Sequence, residues 1–436
     1  MGLGKTVTSL ASFLSSINGQ NKFSALILCG SNAMGVWQEE LHKWFGLTSI
    51  IYTGTPAKRK KVLEEYLQHE GFLITTYAMA KELGYRWDGV FVDEYHTSGL
   101  MNHKSKFYKT MEQLSPNCWR LYLLTGTPIR QGVIDLYAPL HLLHPEHFRN
   151  YWQFVSRHCV TTQTPFGKCI ERTPARVHEF RSMLKSYMIR RLKTEVLQDL
   201  PGKQRNVVPL VMTPKQLRAY RALEKEMLYI DESCVDADVI APNQMVTDLR
   251  LRQLLVSPRL LGIDDDGSAL AYLTEVVPEL LEACKPVVIF TPFRQAVDII
   301  KDVICGWGTN TTVFTLQGGM HPNDFAASWQ GFRAYENNKI LICVIKSGAS
   351  FHATCAADCF FLGYEWDFNF NVQAEDRLCR IGQNNFVQCN YLLHTEDTVD
   401  THVKNRLNEK NLAANWCIGT DKQIRDLINA NRRRSI

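Results

Sequence analysis

The chain has 436 residues and a formal net charge of +5 at pH 7, with 45% hydrophobic and 21% charged residues. This composition is typical of a soluble globular protein, and the length suits two domains that each bury a core. The small net charge permits a polyanionic partner but does not require one. No apolar run approaches the ~20 residues of a membrane-spanning helix, and no signal peptide opens the chain. We therefore expect an intracellular protein with no membrane partner, in the cytoplasm, a nucleoid or a nucleus.

Thirteen cysteines are scattered along the chain without a CxxC pair. This pattern indicates buried thiols in a reducing compartment. Cys355 and Cys359 lie close to His352, which would allow a metal site. The apolar residues around them favour a packed core instead.

The chain opens with the sequence MGLGKT, which is typical of the second half of a phosphate-binding loop. Glycines let backbone N–H groups turn towards phosphate oxygens, and the start of the following helix adds its positive dipole. We expect Gly2 and Gly4 to line the phosphates of ATP, Lys5 to bind the β and γ phosphates, and Thr6 to bind both the nucleotide and Mg²⁺. A chance glycine-rich turn is the alternative, but the helical spacing over residues 7–17 favours the loop.

The first 145 residues alternate short apolar runs with longer amphipathic stretches. This alternation predicts a parallel sheet covered by helices on both faces. The predicted strands are 25–29, 72–75, 89–92 and 121–124, and helices are predicted at 36–45 and 57–69.

Two acids, Asp93 and Glu94, follow the predicted strand at 89–92. Side chains in that position lie at the carboxyl edge of a parallel sheet, where ligands bind. We expect Asp93 to hold the metal and contact ATP, and Glu94 to orient and deprotonate the attacking water. A helix N-cap would be the simpler explanation of the pair alone, but a phosphate loop in the same lobe favours catalysis.

From 146 to 285 the strand signals become sparse, and basic, aromatic-rich helical segments replace them. We interpret this stretch as a helical insertion and connector. A second α/β lobe is predicted at 286–415, followed by a basic tail at 416–436. Strands are predicted in the second lobe at 287–290, 312–315, 340–343, 359–362 and 387–392.

Arg377 and Arg380 are three residues apart in the second lobe, so on one helical face both could reach a single phosphate group. A surface ion pair with Glu375 or Asp376 is the alternative.

Taken in order, these motifs resemble the SNF2-like branch of superfamily 2 helicase-related ATPases over almost the whole chain. MGLGKT resembles motif I, FVDEYH at 91–96 the DEAH box, and LTGTPIRQGVIDLYAPLHLLHP at 124–145 the family's LTGTP segment. MIRRLKTEVLQDLPGK at 188–203 resembles the family's connector. QAEDRLCRIGQ at 373–383 resembles motif VI, and its ending RIGQ is typical of this group.

The resemblance implies two RecA-like lobes, each a parallel sheet flanked by helices, with a short helical insertion between them. It implies that ATP and Mg²⁺ bind between the lobes, that Arg377 and Arg380 act catalytically on the triphosphate bound by Lys5, and that Gln383 contacts ATP. It also implies sequence-independent backbone contacts with double-stranded DNA. Matching positions for these contacts are Asn102, Lys104, Thr125, Arg190, Arg191 and Ser347.

The implied activity is ATP-driven translocation on duplex DNA, which remodels DNA or protein–DNA complexes. Targeting is expected from a partner protein or from sequence preceding Met1, where the family has the other half of its phosphate loop. Two residues depart from the family pattern, because Phe351 replaces a glycine and Ala353 an asparagine. An annealing or fork-remodelling motor and a DNA-binding scaffold with impaired ATP hydrolysis are the alternatives.

Overall fold

The computed structural model describes residues 3–19, 22–164, 167–197, 199–226, 228–229, 239–240, 243–347 and 351–419. Gly2 and residues 420–436 of the predicted basic tail lie outside the described residues. The chain divides into two compact units. Unit 1 comprises Met1–Val196 and Glu409–Ile436, and unit 2 comprises Leu197–Asn408. The stretch 146–285, which the sequence pattern groups as one insertion, is therefore divided between the units.

Unit 1 is an α/β unit whose main sheet has five strands. Its strands are β1 (Ser24–Cys29), β2 (Ser49–Ile51), β3 (Gly71–Thr76), β4 (Trp87–Val92), β5 (Cys118–Leu123), β6 (Cys159–Thr164) and β7 (Gly167–Pro174). Its helices are α1 (Lys5–Ser16), α2 (Met34–Phe45), α3 (Pro56–His69), α4 (Lys106–Leu114), α5 (Tyr137–Leu143), α6 (Tyr151–His158), α7 (Val177–Tyr187) and α8 (Lys193–Val196).

The five strands of this sheet are parallel, in the order β2-β3-β1-β4-β5. β1 and β4 are almost entirely buried, as expected for apolar strands covered on both faces. This confirms the predicted parallel sheet and its four predicted strands. β6 and β7 form a separate antiparallel hairpin.

A cluster of phenylalanines packs α1 onto one face of this sheet. Phe13 on α1 makes edge-to-face contacts with Phe23, Phe72 and Phe91, at centroid distances of 5.6, 6.1 and 5.6 Å. Such pairs stabilise a core beyond their buried area. The Phe13 ring also lies over Gly89 of β4, where an added Cβ would come within 2.6 Å of it. Aromatic packing of this kind fixes where α1 begins relative to the end of β4.

Unit 2 is a second α/β unit with a six-stranded sheet. Its strands are β8 (Lys203–Leu210), β9 (Leu228–Tyr229), β10 (Val239–Ile240), β11 (Val287–Thr291), β12 (Thr312–Leu316), β13 (Lys339–Val344), β14 (Asp358–Phe361) and β15 (Val387–His394). Its helices are α9 (Pro214–Glu226), α10 (Gln244–Val256), α11 (Ser268–Glu282), α12 (Ala296–Gly306), α13 (Pro322–Ala334), α14 (Phe368–Leu378) and α15 (Val399–Ile418), and unit 1 includes α15 from Glu409 onward.

The sheet of unit 2 is also parallel throughout, in the order β12-β13-β11-β14-β15-β8. Its five predicted strands are confirmed. The strands β6 to β10, among them the edge strand β8, lie in the stretch 146–285 for which we expected helices, and that expectation was wrong at these points. β8 pairs with β15 along its whole length, from Lys203 opposite Val387 to Leu210 opposite His394. Its Pro209 is tolerated because an edge strand need not donate every N–H to a neighbour.

Among the described helices, none combines the length and the apolar character needed to cross a membrane.

We predict that Gly89→Ala lowers the free energy of unfolding by about 1–3 kcal/mol, because the new methyl group would press on the packed ring of Phe13. Gly35→Ala is the matched control. Gly35 lies in α2, and no other described part of the chain comes within 4 Å of an added Cβ. This second change should raise the unfolding free energy by roughly 0.5–1 kcal/mol. Urea unfolding measures both, and equal stability of Gly89→Ala and the wild type would contradict the packing.

Candidate functional site

The first helix starts with a residue in the left-handed conformation. Gly4 has φ 72° and immediately precedes Lys5, the first residue of α1. An L-residue with a side chain is disfavoured at this φ, so glycine suits the turn. Gly4 offers no side chain to cap the amides of the first helical turn. Free amides at a helix start, together with the helix dipole, form a ready site for an anion such as phosphate.

Lys5 lies against the acid that follows β4. Its Nζ is 2.8 Å from Oε1 of Glu94, and the two side chains are 30% and 27% exposed. The other oxygen of Glu94 accepts a hydrogen bond from the Gly126 amide at 3.2 Å and lies 3.2 Å from Nδ1 of His96. The structure therefore brings together the phosphate-loop lysine and the predicted catalytic glutamate within one unit.

The backbone of Glu94 is strained in a way that aims its side chain. Glu94 has φ 42° and ψ 48°, which is the left-handed region that non-glycine residues rarely adopt. Such a conformation costs roughly 1 kcal/mol or more, and it persists where the surrounding contacts fix it. Here the contacts with Lys5, His96 and Gly126 hold the carboxylate in place.

The charges around Glu94 keep it ionised. Burial by itself raises the pKa of Glu94, but the hydrogen bond from His96 and the charge of Lys5 outweigh burial. The pKa of Glu94 therefore lies well below the ordinary value of 4.5. A carboxylate with so low a pKa orients a water molecule well but is a weak proton acceptor while Lys5 remains beside it.

Asp93 is held in the opposite electrostatic situation. Its Oδ2 accepts a hydrogen bond from Nε1 of Trp37 at 2.9 Å, and its backbone carbonyl accepts one from the Tyr77 hydroxyl at 2.5 Å. Burial and the neighbouring charge of Glu94 raise the pKa of Asp93 above its ordinary value. A buried carboxylate beside a like charge is a site that a divalent cation would stabilise.

The loop TGTP at 125–128, which follows β5, contacts this site through Thr125. The Thr125 hydroxyl lies 2.8 Å from Nδ1 of His96 and accepts a hydrogen bond from the Thr127 amide. Nη1 of Arg130 donates to the His96 carbonyl at 3.0 Å. Thr125 was predicted to contact DNA. That contact stays a prediction, and in the structure the hydroxyl contacts His96, which in turn contacts Glu94, so Thr125 ties the loop to the acid pair.

The other predicted DNA contacts of unit 1 differ in exposure. Asn102 and Lys104 are exposed, and the Asn102 side chain accepts the Lys104 amide at 2.9 Å, which shapes the loop between them. Arg191 is exposed as well. Arg190 is half-buried, and its Nη1 donates to the Ile418 carbonyl at 2.6 Å, at the end of α15. Asn102, Lys104 and Arg191 can therefore meet a phosphate backbone, whereas Arg190 holds a helix end.

Arg377 and Arg380 of unit 2 do not share a helical face, and that prediction was wrong. Helix α14 ends at Leu378, so Arg377 is its penultimate residue and Arg380 lies in the turn beyond it. Arg377 is buried, and its Nη1 donates to the Phe351 carbonyl at 3.3 Å. Arg380 is half-buried. Glu375 and Asp376, the alternative ion-pair partners of these arginines, bind Lys203 and Arg205 of β8.

Gln383 was predicted to contact ATP, but its amide is engaged within the chain. Nε2 donates to the carbonyls of Ala356 and Leu378 at 2.8 and 3.2 Å, and Oε1 accepts the Asn385 amide at 2.9 Å. A side-chain amide has two hydrogens, so both are used. Gln383 therefore fixes the loop after α14, and a nucleotide contact from its N–H groups would have to break one of these bonds.

The two residues that depart from the family pattern are buried in unit 2. Phe351 and Ala353 have no solvent exposure, and the Ala353 amide donates to the Arg377 carbonyl at 2.9 Å. The loop that contains both residues is thus packed into the core. It bonds to the backbone carbonyl and to the side chain of Arg377 in α14. Ser347, the last predicted DNA contact, is half-buried at the end of a short 3-10 helix, and residues 348–350 lie outside the described part of the chain.

A metal site at Cys355, Cys359 and His352 is not found among the described residues. Cys359 is buried and its thiol lies 3.4 Å from the Gln388 carbonyl, as expected for a core position. The described side chains close enough to share a metal ion are instead His144, Glu146 and His147.

Sequence reasoning missed several residues that shape the acid pair. Trp37 and Tyr77 hold Asp93, and His96 and Gly126 hold Glu94. His96 follows Glu94 by two residues within the motif FVDEYH, so the sequence alone could have indicated it. Tyr77 comes from a separate turn after β3, and only the fold brings it to the site.

The chain is similar in sequence to known proteins. A family model described as the SNF2-related domain matches residues 1–260. Chromodomain-helicase-DNA-binding protein 8 of Danio rerio is 24% identical over 484 residues, which cover 100% of this chain and 18% of that protein. Chromodomain-helicase-DNA-binding protein 6 of Mus musculus is 26% identical over 476 residues, which cover 98% of this chain and 17% of that protein. The chain thus spans less than a fifth of the length of these relatives.

Among solved structures, the SWI2/SNF2 ATPase core of Sulfolobus solfataricus in complex with dsDNA is similar to this chain. The two are 24% identical, and the alignment covers 96% of this chain and 88% of the other with a TM-score of 0.41.

We predict that two isosteric substitutions change the stability of the protein in opposite directions. Because burial and the charge of Glu94 raise the pKa of Asp93, the ionised Asp93 costs stability at pH 7, and Asp93→Asn should raise the melting temperature. Because the pKa of Glu94 is lowered, its ionised form contributes stability above the ordinary value of 4.5, and Glu94→Gln should lower the melting temperature.

Thermal unfolding at neutral and acidic pH tests both signs. The deficit of Glu94→Gln should shrink as the pH falls below 4.5, because the unfolded wild type then binds a proton at Glu94 that folding has to release. Shifts of the same sign for both variants at neutral pH would contradict the electrostatics of the site.

Proposed function

The chain belongs to the family of SNF2-related domains, and on this premise we propose that it is a DNA-dependent ATPase that moves on double-stranded DNA and remodels DNA or protein–DNA complexes. The observation that carries the ATPase activity is the ion pair of Lys5 with Glu94, 2.8 Å long, at the start of α1. A lysine after a left-handed glycine binds phosphate, and a glutamate in its reach can orient the water that attacks it.

The ion pair supports two successive partners for Lys5, which are Glu94 before ATP binds and the triphosphate afterwards. Without nucleotide, Glu94 neutralises the ammonium group and is itself a poor base because its pKa is lowered. The triphosphate of ATP offers Lys5 a stronger anion, which draws the ammonium away from Glu94. Losing that cation raises the pKa of Glu94 towards its ordinary value and improves it as a proton acceptor. Binding of the substrate thereby activates the base that hydrolyses it.

The residues at this site fit a magnesium ion. Thr6 and Asp93 offer a hydroxyl and a carboxylate, which are the oxygen ligands that Mg²⁺ prefers. The raised pKa of Asp93 indicates a carboxylate short of positive charge. We propose that Thr6 and Asp93 hold the ion, with Trp37 fixing the carboxylate through its 2.9 Å hydrogen bond. Bound there, Mg²⁺ would neutralise charge on the phosphates.

We propose that Arg380 stabilises the negative charge that develops on the transferred phosphoryl group. It is half-buried in the turn after α14, so its guanidinium can reach a ligand. Arg377 is proposed to assist by fixing the preceding loop through its 3.3 Å bond to the Phe351 carbonyl. Preorganised cations of this type act mainly on the transition state.

Double-stranded DNA is the proposed partner of both units. The relatives named above are helicase-DNA-binding proteins by name, and the exposed Asn102, Lys104 and Arg191 supply donors for phosphate oxygens. Contacts to the phosphate backbone are independent of base sequence and weaken with salt. The protein is accordingly proposed to work where the cell keeps its DNA, in a nucleus or a nucleoid.

We predict that Lys5→Ala and Glu94→Gln each lower kcat for ATP hydrolysis by roughly 100-fold or more, since each removes a group that acts on the phosphate or the water. Arg380→Ala should lower kcat more than it weakens nucleotide binding. Phosphate release with and without duplex DNA measures turnover, and a fluorescent ATP analogue measures binding. Lys43→Ala is the control for a lysine of unit 1, because Lys43 contacts only the exposed Trp44 in the described contacts.

Three outcomes separate the hypotheses. Unchanged turnover in Arg380→Ala would refute the role given to Arg380. A wild-type protein that binds duplex DNA but releases no phosphate would instead support the DNA-binding scaffold. An active protein that rewinds a protein-coated DNA bubble would support the annealing motor.

We predict that Lys104→Ala raises the concentration of duplex DNA needed for half-maximal ATPase stimulation several-fold, equally for duplexes of different sequence. The reason is that Lys104 is exposed and would neutralise a phosphate group. Titrations at several salt concentrations should also show a shallower salt dependence for this variant. Lys43→Ala again serves as the control, and a sequence-dependent loss in Lys104→Ala would contradict backbone binding.

A further inference from the structure

A charge network around the buried Glu375 joins the edge strand β8 to the helix α14 of unit 2. Glu375 on α14 has no solvent exposure. Arg205 grips its carboxylate with two hydrogen bonds, from Nε to Oε1 at 2.6 Å and from Nη2 to Oε2 at 2.8 Å. Lys203 donates to Oε2 at 2.8 Å and also to Oδ1 of Asp376 at 3.1 Å. The Tyr391 hydroxyl on β15 completes the shell with a 2.7 Å bond to Oε1.

The network is balanced in charge and complete in hydrogen bonds. Two cations of β8 meet two anions of α14, and each oxygen of Glu375 accepts two hydrogen bonds. A buried carboxylate is tolerated only when it is paired and bonded in this way. Burial by itself raises the pKa of Glu375, but Arg205 and Lys203 outweigh burial and lower it, so Glu375 stays ionised.

The geometry of the network also fixes the orientation of the side chains that form it. Lys203 and Arg205 are two residues apart on a strand, so both point to the same face of the sheet. The planar guanidinium of Arg205 meets the carboxylate of Glu375 as a fork, which restricts the rotation of the pair. The position of the last turn of α14 over the sheet is therefore set by β8.

Arg377 and Arg380 extend from the segment that this network holds. Arg377 directly follows Asp376, and the Glu375 carbonyl accepts the Cys379 amide at 3.1 Å, where α14 ends. Arg380 is the next residue along the chain. A small displacement of this helix end would also move the guanidinium of Arg380.

We propose that Lys203, Arg205 and Glu375 are positioning residues for Arg380, and that they support ATP turnover without touching the nucleotide. This inference rests on the proposed ATPase activity. On this inference, β8 positions the end of α14 in addition to forming the edge of the sheet. Because β8 begins at Lys203, close to the start of unit 2 at Leu197, the chain that enters unit 2 directly holds the helix of the arginines.

The test compares Arg205→Gln and Glu375→Gln with a control on the same strand. Asn206 on β8 bonds to Gln388 and Asn390 of β15, at 2.9 and 3.0 Å, so Asn206→Ala removes a polar contact of β8 without touching α14. Misplacing a catalytic group by about 1 Å can lower a rate ~100-fold. We expect kcat to fall at least about tenfold in both network variants with KM for ATP nearly unchanged. Asn206→Ala should keep its kcat.

Rescue and hydrogen exchange separate positioning from loss of fold. Arg205→Lys retains the charge without the fork, so it should recover part of the kcat that Arg205→Gln loses. Amide exchange followed by mass spectrometry should become faster at residues 376–383 in the network variants and not in Asn206→Ala. Unchanged kcat in folded network variants, or equal loss in Asn206→Ala, would overturn the inference.

Failure of the proposed function gives a different result. A wild-type protein without DNA-stimulated turnover would refute the ATPase proposal. In that event, faster exchange at 376–383 in Glu375→Gln alone would still support the positioning of the helix end, and equal exchange in Glu375→Gln and Asn206→Ala would overturn it.

Discussion

The ion pair of Lys5 with Glu94 connects the first helix of the chain to the end of β4, and much of unit 1 serves to bring these two groups together. β4 lies parallel to β1, and Asp93, the first residue after β4, still donates its amide hydrogen to the Leu28 carbonyl of β1. The next residue, Glu94, then leaves the strand in the left-handed conformation. The phenylalanine cluster around Phe13 anchors α1 on the same sheet. The start of α1 and the end of β4 thus meet at the contact of Lys5 with Glu94.

The acid pair shows how one local charge arrangement gives neighbouring carboxylates different properties. Asp93 and Glu94 are adjacent, yet the pKa of the first is raised and the pKa of the second is lowered. The difference arises because Lys5 and His96 bond to Glu94, whereas Asp93 receives the neutral N–H of Trp37. Pairs of acids whose pKa values are pushed apart are typical of sites that divide the work between metal binding and proton transfer.

Unit 2 holds Arg377 and Arg380 at the end of α14 through contacts with other elements. Glu375 and Asp376 of this helix are bound by Lys203 and Arg205 of β8. Arg377 donates to the Phe351 carbonyl, and Arg380 lies in the turn after the helix. The charge network around Glu375 therefore joins the edge of the sheet to the helix end that precedes Arg380.

The sequence was most informative where hydrophobic pattern and local motif coincide. The buried runs that became β1, β4, β11 and β13 are apolar on both faces, so their burial and parallel pairing were predictable. β8 was missed because its sequence, KQRNVVPL, is polar, and its cations are satisfied by acids about 170 residues away. For the same reason the bonds of Gln383 and the support of Asp93 by Trp37 depend on tertiary contacts that no local pattern contains.

We propose that the bond of Lys5 to Glu94 is the resting form of a phosphate site. A crystal structure of the protein with Mg²⁺ and a non-hydrolysable ATP analogue tests it most directly. We predict that Nζ of Lys5 leaves Glu94 and lies within hydrogen-bond distance of the β and γ phosphates, with the Glu94 carboxylate facing water. An analogue bound elsewhere, with Lys5 still 2.8 Å from Oε1 of Glu94, would contradict it.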